Sequence, residues 1–185
     1  MIKILIADDH AIVRQGLKQI LMDTPDMDVA GEATNGIEAL TKIREEEWDV
    51  VLLDMSMPGK NGLDVLKQAK NEQKKLPILI LSMHPEDQYA VRALKAGAAG
   101  YITKGCPPEQ FITAIRRAAR GGKYITPTLA EKLAQTLDSG ASDIPHESLS
   151  DREFQVFEKL ASGNKISAIA EELSLSAKTV STHRA

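Results

Sequence analysis

A chain of 185 residues with a formal net charge of −3 and 43% hydrophobic residues has room for one medium-sized domain and one small one. Its longest apolar runs, such as Val50–Leu53, are too short to span a bilayer, and its amino terminus has no signal-peptide cleavage pattern, so we expect a cytoplasmic protein without a membrane span. The single cysteine, Cys106, excludes an internal disulfide and a cysteine-rich metal site. The net charge argues against indiscriminate binding to nucleic acid, but it leaves room for a small DNA-reading module.

The first part of the chain alternates short aliphatic runs with amphipathic stretches of helical length, which is typical of a parallel sheet built from strand-helix units. Five strands are predicted, each followed by a helix: Ile2–Ala7, Val29–Ala33, Val50–Leu53, Ile78–Leu81 and Gly100–Ile102. Asn35 with Glu38 has the spacing of a cap for the second helix, and Pro107-Pro108 opens the fifth. The sequence therefore predicts an α/β domain over residues 1–121 with a doubly wound, five-stranded parallel sheet.

The second part of the chain is predicted to be helical. Residues 122–147 form a linker with one helix, which Thr126 caps and Pro127 begins. The stretch 139–148 has the Ser, Gly, Asp and Pro content of a flexible segment. Residues 148–185 contain three helical segments with one apolar side each, so we expect a second, small all-α domain. These segments begin behind a capping box at Ser150-Asp151-Arg152-Glu153, at Lys165, and at Ala177 behind Ser176.

Four of the five predicted strands end beside charged or hydroxyl side chains. Asp8-Asp9 comes after the first strand, Asp54 after the third, Ser82 after the fourth and Lys104 just past the fifth. Open parallel sheets bind ligands at this edge, and strands one and three are expected to flank the point where the strand order reverses. Three carboxylates in one crevice need a counter-cation, and Mg²⁺ suits carboxylates that must also meet a phosphoryl group. Because Lys104 and Ser82 can contact phosphoryl oxygens, the sequence indicates a phosphoryl-accepting carboxylate.

These motifs resemble the receiver domains of two-component response regulators. The resemblance covers residues 1–121 and is carried by Asp8-Asp9-His10, Asp54-Met55-Ser56-Met57-Pro58-Gly59-Lys60-Asn61-Gly62-Leu63, Ser82 and Tyr101-Ile102-Thr103-Lys104. It implies that Asp54 attacks the phosphohistidine of a sensor histidine kinase and becomes an aspartyl phosphate. Apart from this self-phosphorylation and a slow self-dephosphorylation, the chain is not expected to be an enzyme.

The same resemblance implies how the other residues act. Asp9, Asp54 and the backbone carbonyl of Ser56 are expected to hold Mg²⁺, with Asp8 acting through a water molecule. Tyr101 occupies the place of a switch aromatic, whose inward or outward position follows the Ser82 hydroxyl. Lys104 and Ser82 are expected to contact the phosphoryl group on Asp54.

The last domain resembles the LuxR-type helix-turn-helix, which together with the receiver makes a regulator of the NarL/FixJ type. The motifs are Leu149 to Glu153, Gly163 to Lys165, Ile169 to Ser176 and Thr179 to His183. In that geometry residues 165–173 cross the DNA backbone and the helix from Ala177 enters the major groove. The expected DNA contacts are Lys178, Thr179, Ser181, Thr182, His183 and Arg184. The expected partners are promoter DNA and, when the protein is active and full length, a second copy of the chain.

Two features of this domain depart from the family pattern. Residues 148–185 contain five basic and five acidic residues, so bulk attraction to phosphate is weak, and Ser181 stands where many relatives have a lysine. The sequence also stops at Ala185, inside the predicted reading helix. We therefore expect a domain without the family's fourth helix, which binds DNA poorly even when phosphorylated.

Two other functions remain open at this point. One is a doubly wound phosphohydrolase with an aspartate nucleophile and Mg²⁺, although such enzymes place the nucleophile in an Asp-x-Asp pair, whereas Asp8 and Asp9 are adjacent. The other is a receiver-type interaction module with a degenerate output domain. Steady turnover of phosphate esters would support the first, and a complete chain that does not bind DNA would support the second.

Overall fold

The structure, a computed structural model, describes residues 1–58, 60–83, 86–138, 151–173 and 175–182. The chain divides into two compact units, Met1–Leu133 and Ala134–Ala185. None of the described helices combines the length and apolar character that a membrane crossing requires. Some predictions lie outside the described residues: the flexible segment at 139–148, the Ser150 cap, and the DNA contacts by His183 and Arg184.

The first unit contains a parallel sheet whose strands alternate with helices. Its strands are β1 (Ile2–Ala7), β2 (Met27–Ala33), β3 (Val50–Asp54), β4 (Ile78–Ser82) and β5 (Gly100–Thr103). Its helices include α1 (Ala11–Met22), α2 (Gly36–Glu45), α3 (Gly62–Glu72), α4 (Glu86–Lys95) and α5 (Pro108–Ala119). The strand order is β2-β1-β3-β4-β5 and every pairing is parallel, which confirms the predicted doubly wound sheet.

Burial explains why the strand sequences are so apolar. Every residue of β3 and β4 is buried, as expected of parallel strands that helices cover on both faces. On one face, α1 and α5 contribute to a single core with the sheet. This core includes Ile6, Leu21, Leu52, Phe111 and Ile115.

The strand ends differ from the prediction by one or two residues. β2 begins at Met27 instead of Val29, because Ile2 at the start of β1 pairs with it. β3 and β4 extend by one residue, so that Asp54 and Ser82 are the last residues of their strands. Their backbones are therefore fixed by the sheet, which matters for the site described below.

The predicted helix caps are confirmed where they can be seen. The N–H of Glu38 donates to Asn35 Oδ1 at 2.9 Å in front of α2, and Pro107 is the N-cap of α5. The N–H of Gly121, which has φ of +78°, donates to the carbonyl of Ala118 at 2.8 Å just past the end of α5.

The second unit is all-helical in its described residues. The helix α6 (Pro127–Asp138) extends from the first unit into the second, and α7 (Asp151–Ala161), α8 (Ile166–Glu172) and α9 (Ala177–Thr182) follow. The predicted ends of α8, Lys165 and Leu173, are its N-cap and C-cap. The N–H of Thr179 donates to Ser176 Oγ at 3.0 Å, which confirms the cap of α9. A small core joins the last three helices through Val156, Ile169, Ala170 and Val180.

Candidate functional site

The sheet brings the predicted polar residues to one edge. Because β1 and β3 are neighbours, Asp8, which follows β1, lies beside Asp54 at the end of β3. Ser82 ends β4, the other neighbour of β3, and its carbonyl accepts a hydrogen bond from the backbone N–H of Lys104 at 2.8 Å. Asp8, Asp54 and Ser82 are each at most 1% exposed.

Lys104 is the counter-charge of two buried carboxylates. Its Nζ lies 2.8 Å from Asp8 Oδ2 and 3.0 Å from Asp54 Oδ1, and its side chain is almost fully buried. An ammonium shared by two carboxylates leaves this group of three with a net charge of −1 when all are ionised. Asp9 adds a further carboxylate, so the site attracts cations.

The pKa of the Asp54 carboxyl is raised by its surroundings. Burial raises the pKa of the Asp54 carboxyl, the charge of Lys104 opposes this, and the charge of Asp8 adds to it. The backbone N–H of Ser56, an exposed residue two positions along the chain, donates a hydrogen bond to Asp54. Within the described residues, Asp54 Oδ2 is buried and has no hydrogen-bond partner. One oxygen of this carboxylate is thus available to an incoming ligand.

The carboxylates fit a hard divalent cation. Asp8, Asp9, His10 and Asp54 each offer a ligand atom, and these atoms lie within 4.8 Å of one another. Asp8 Oδ2, Asp9 Oδ1 and Asp54 Oδ2 are buried without a hydrogen bond in the described part of the chain. Asp8 Oδ2 lies 2.8 Å from Lys104 Nζ, and Asp9 Oδ1 lies 2.9 Å from His10 Nδ1. Closely spaced carboxylate oxygens are ligands that Mg²⁺ prefers.

His10 belongs to this cluster, although the sequence analysis assigned it no role. Its backbone N–H donates to Asp8 Oδ1 at 2.8 Å, and its Nδ1 lies 2.9 Å from Asp9 Oδ1. In the sequence, the only feature that pointed to His10 was its position directly after Asp8 and Asp9. Sequence spacing does not tell which way the ring points.

Gly62 allows the loop after β3 to close tightly around Asp54. A Cβ at Gly62 would lie 2.2 Å from the Asp54 carbonyl oxygen, so only glycine fits there. The N–H of Gly62 donates to the Met55 carbonyl at 2.9 Å, and the N–H of Asp64 donates to Asn61 Oδ1 at 2.9 Å. The start of α3 is therefore packed directly against the end of β3.

The two residues predicted to form a switch are both in the interior. Tyr101 is fully buried, in the middle of β5, where it pairs with Ile80. Ser82 pairs with Thr103 at the end of the same ladder. Tyr101 is therefore part of the buried interior of the first unit.

The candidate DNA contacts on α9 are on the surface of the second unit. Lys178, Ser181 and Thr182 are exposed and Thr179 is half-buried. Two hydroxyls bond within the helix, from Ser181 to the Ala177 carbonyl at 2.9 Å and from Thr182 to the Lys178 carbonyl at 3.0 Å. Thr179 also contacts the capping hydroxyl of Ser176 at 2.7 Å.

Comparison with known proteins accounts for both units. Residues 4–116 match the family described as the response regulator receiver domain, and residues 147–185 match the bacterial regulatory proteins of the luxR family. The response regulator GacA of Pseudomonas aeruginosa is 39% identical over 100% of this chain and 86% of its own length. The response regulator UvrY of Escherichia coli K12 is 38% identical over 100% of this chain and 85% of its own length.

The chain belongs to the response regulator family.

Solved structures agree with this assignment. A two-component response regulator of the LuxR family from Aurantimonas sp. matches 75% of this response regulator and 99% of its own chain, with 31% identity and a TM-score of 0.69. RcsB from Salmonella enterica, bound to promoter rprA in the presence of the phosphomimetic BeF3⁻, covers 99% of this chain with 88% of its own, at 25% identity and a TM-score of 0.69. The chain is a transcription regulator of the NarL/FixJ type, with a phosphorylation-controlled receiver and a LuxR-type DNA-binding domain. A receiver implies a histidine kinase partner, and a LuxR-type domain implies DNA as the second.

Proposed function

We propose that Asp54 is the residue that a sensor histidine kinase phosphorylates. The observation that carries this proposal is the free oxygen of Asp54, Oδ2, which is buried without a hydrogen-bond partner in the described residues, while Lys104 holds the other oxygen at 3.0 Å. A carboxylate in this setting is a nucleophile with one oxygen oriented and the other available.

Transfer forms one bond and breaks another. An oxygen of Asp54 attacks the phosphorus of the kinase phosphohistidine, the N–P bond breaks, and the departing imidazole nitrogen takes up a proton from solvent. Lys104 neutralises a phosphoryl oxygen, and Ser82, which is 1% exposed at the end of the adjacent strand, donates its hydroxyl to another. The acyl phosphate on Asp54 then hydrolyses slowly and releases phosphate. The chain therefore does not turn over a separate phosphate ester.

The proposed ligands of Mg²⁺ are Asp9, Asp54 and the backbone carbonyl of Ser56, with Asp8 acting through water. When bound, the ion offsets the negative charge that builds up on the phosphoryl group. The fit rests on Asp54 Oδ2, which is buried without a hydrogen-bond partner in the described residues, and on the closeness of the ligand atoms. Lys104 partly balances the same carboxylates through its contacts with Asp8 and Asp54.

The proposed switch consists of Ser82 and Tyr101. A phosphoryl group on Asp54 draws the Ser82 hydroxyl towards it, and the ring of Tyr101, one strand away and fully buried, changes its position in response. Such a change alters the surface around α4 and β5 and so reaches the rest of the chain.

The proposed output is DNA binding through α9. Its exposed residues, with His183 and Arg184 beyond the described residues, read the promoter, and the active full-length protein binds as a homodimer on two half-sites. The similarity to RcsB, whose solved structure is bound to promoter rprA, supports DNA as the partner. Because the kinase phosphohistidine and the promoter are both reached from the cytoplasm of a bacterium, we propose that compartment as the location.

Phosphorylation stoichiometry separates a regulator from a phosphohydrolase. The protein is mixed with a small phosphodonor and Mg²⁺, and protein-bound phosphoryl and released phosphate are measured over time. We expect at most one phosphoryl group per chain, with slow release of phosphate. Continuous turnover with many phosphates per chain would support the phosphohydrolase and contradict the proposal.

DNA binding is tested separately on the full-length protein. Lys178→Ala should weaken binding to promoter DNA. The slope of the logarithm of the binding constant against the logarithm of the salt concentration should fall by about one. Lys159→Ala on α7 is the matched control, since that residue is not among the proposed contacts. Equal losses in the two variants would contradict the assignment of α9 as the reading helix.

A further inference from the structure

His10 breaks a local rule of helix capping. It is the N-cap of α1, yet its side chain makes no capping hydrogen bond. Serine, threonine, aspartate and asparagine are the preferred N-caps because their side chains bond to the first free N–H groups of the helix. The His10 ring instead lies with Nδ1 2.9 Å from Asp9 Oδ1 and 3.3 Å from Asp8 Oδ1. Sequences tend to give up local preferences at functional positions.

The backbone on both sides of His10 is fixed. The N–H of His10 donates to Asp8 Oδ1 at 2.8 Å, and its carbonyl accepts from the N–H of Arg14 at 3.1 Å. The Arg14 guanidinium also donates to the Asp8 carbonyl at 2.8 Å. The side chain itself is 60% exposed, so an ion from solvent can reach the ring.

The cluster combines carboxylate oxygens with an imidazole nitrogen, and one of these oxygens, Asp54 Oδ2, has no hydrogen-bond partner among the described residues. The ligand atoms of Asp8, Asp9, His10 and Asp54 lie within 4.8 Å of one another. Within this cluster, Asp54 is 1% exposed and its Oδ2 lacks a hydrogen-bond partner among the described residues. Carboxylates and carbonyls suit Mg²⁺, whereas imidazole nitrogen suits Zn²⁺ and other first-row transition metals.

We infer that His10 is a metal ligand through Nδ1 and that it makes the receiver site a binding site for Zn²⁺ as well as for Mg²⁺. The inference rests on the proposed function, because Asp9 and Asp54 serve both ions. Zn²⁺ and Mg²⁺ therefore compete for the same carboxylates. A bound Zn²⁺ keeps the site from Mg²⁺, so the metal composition around the protein sets how readily Asp54 is phosphorylated.

Calorimetric titration of the whole chain with Zn²⁺ and, separately, with Mg²⁺ tests this role. His10→Asn is the informative variant, because asparagine is a good N-cap and offers an oxygen in place of the imidazole nitrogen. Gln15→Ala, an exposed position on the same helix, is the matched control. We expect His10→Asn to bind Zn²⁺ at least about tenfold more weakly, with a much smaller change for Mg²⁺. Equal Zn²⁺ affinity in the three proteins would overturn the inference.

A spectroscopic readout is independent of affinity. In the wild-type protein, Zn²⁺ should shift the imidazole ¹⁵N resonance of His10 Nδ1, and Mg²⁺ should shift it far less. An unmoved resonance at saturating Zn²⁺ would overturn the inference.

The same titrations distinguish the two levels of the argument. If Asp9→Ala and Asp54→Asn bind Mg²⁺ as the wild type does, the Mg²⁺ ligands of the proposed function are wrong and this inference fails with them. If those variants lose Mg²⁺ while His10→Asn keeps full Zn²⁺ affinity, only the inference on His10 fails.

Discussion

At the residue scale, the buried carboxylate of Asp54 lowers the stability of the fold when it is ionised. Its carboxyl is 1% exposed beside Asp8, and Lys104 is shared between the two. Burial raises the pKa of Asp54, so the folded chain holds a proton on this group more tightly than the unfolded chain does. Ionisation of Asp54 therefore destabilises the fold above the ordinary carboxyl pKa of 3.8, and this penalty is absent below it.

The first prediction follows from the raised pKa of Asp54. In buffer free of divalent metal at pH 7, Asp54→Asn should stabilise the first unit by about 1 kcal/mol or more, because it removes a buried charge while Lys104 keeps its partner Asp8. The gain should shrink as the pH falls towards the ordinary carboxyl pKa. Urea unfolding at several pH values measures it, with exposed Asp28→Asn as the control. A gain that grows on acidification would contradict the account.

The second prediction concerns the proposed metal ligands. Asp9→Ala should weaken Mg²⁺ binding by at least about tenfold and slow phosphorylation by a small phosphodonor, because one ligand of the cation is lost. Asp28→Ala, an exposed carboxylate on β2, should bind Mg²⁺ as the wild type does. Unchanged Mg²⁺ affinity in Asp9→Ala would remove Asp9 from the ligand set.

Some of this site was predictable from the sequence, for a physical reason. Asp54 and Ser82 follow short apolar runs that are typical of buried strands, and the carboxyl ends of parallel strands share one edge. The ring direction of His10 and the complete burial of Tyr101 depend on tertiary packing. Strand periodicity carries no information on either.

At the element scale, the turn from β3 into α3 depends on close backbone contact. A Cβ at Gly62 would come within 2.2 Å of the Asp54 carbonyl oxygen and 2.9 Å of the Met55 Cα, and both are backbone atoms that cannot rotate away. The third prediction is that Gly62→Ala destabilises the first unit by about 2 kcal/mol or more and slows phosphorylation, because the end of β3 must shift.

Gly16→Ala is the matched control for that substitution. Gly16 lies inside α1, with no atom within 4 Å of an added Cβ, so alanine there should stabilise the helix by about 0.5–1 kcal/mol. Thermal unfolding of both variants makes the comparison. If Gly62→Ala is as stable as the wild type, the close packing of α3 on β3 does not contribute to the stability of the first unit.

Element types were more predictable than element ends. All five strands and the caps at Asn35 and Ser176 follow from local sequence patterns. The start of β2 at Met27 does not, because it is set by pairing with Ile2 on β1, and pairing is a non-local property. The ends of α8 differ by one residue because Lys165 and Leu173 are capping residues.

At the scale of the whole molecule, α6 is the element that belongs to both units. It begins at Pro127, with the N–H of Leu129 donating to Thr126 Oγ1 at 3.2 Å, and the boundary between the units falls between Leu133 and Ala134. A signal that passes from the receiver to the DNA-binding domain along the chain must cross this helix. Phosphorylation should therefore bias an existing equilibrium of α6 instead of building the reading helix anew.

The fourth prediction is a change in hydrogen exchange over Pro127–Asp138 when a phosphoryl mimic is added with Mg²⁺. Asp54→Asn treated in the same way should show no change, which controls for effects of the mimic elsewhere. Identical protection of the wild-type helix with and without the mimic would contradict α6 as the route.

The most direct test of the central claim is to locate the phosphoryl group by mass spectrometry. Wild-type protein and Asp54→Asn are treated with a small phosphodonor and Mg²⁺, and the modified residue is mapped after proteolysis. The account predicts a single modified residue, Asp54, in the wild type and loss of the label in Asp54→Asn. Full labelling of Asp54→Asn, or a label on Asp8 or Asp9 in the wild type, would contradict it.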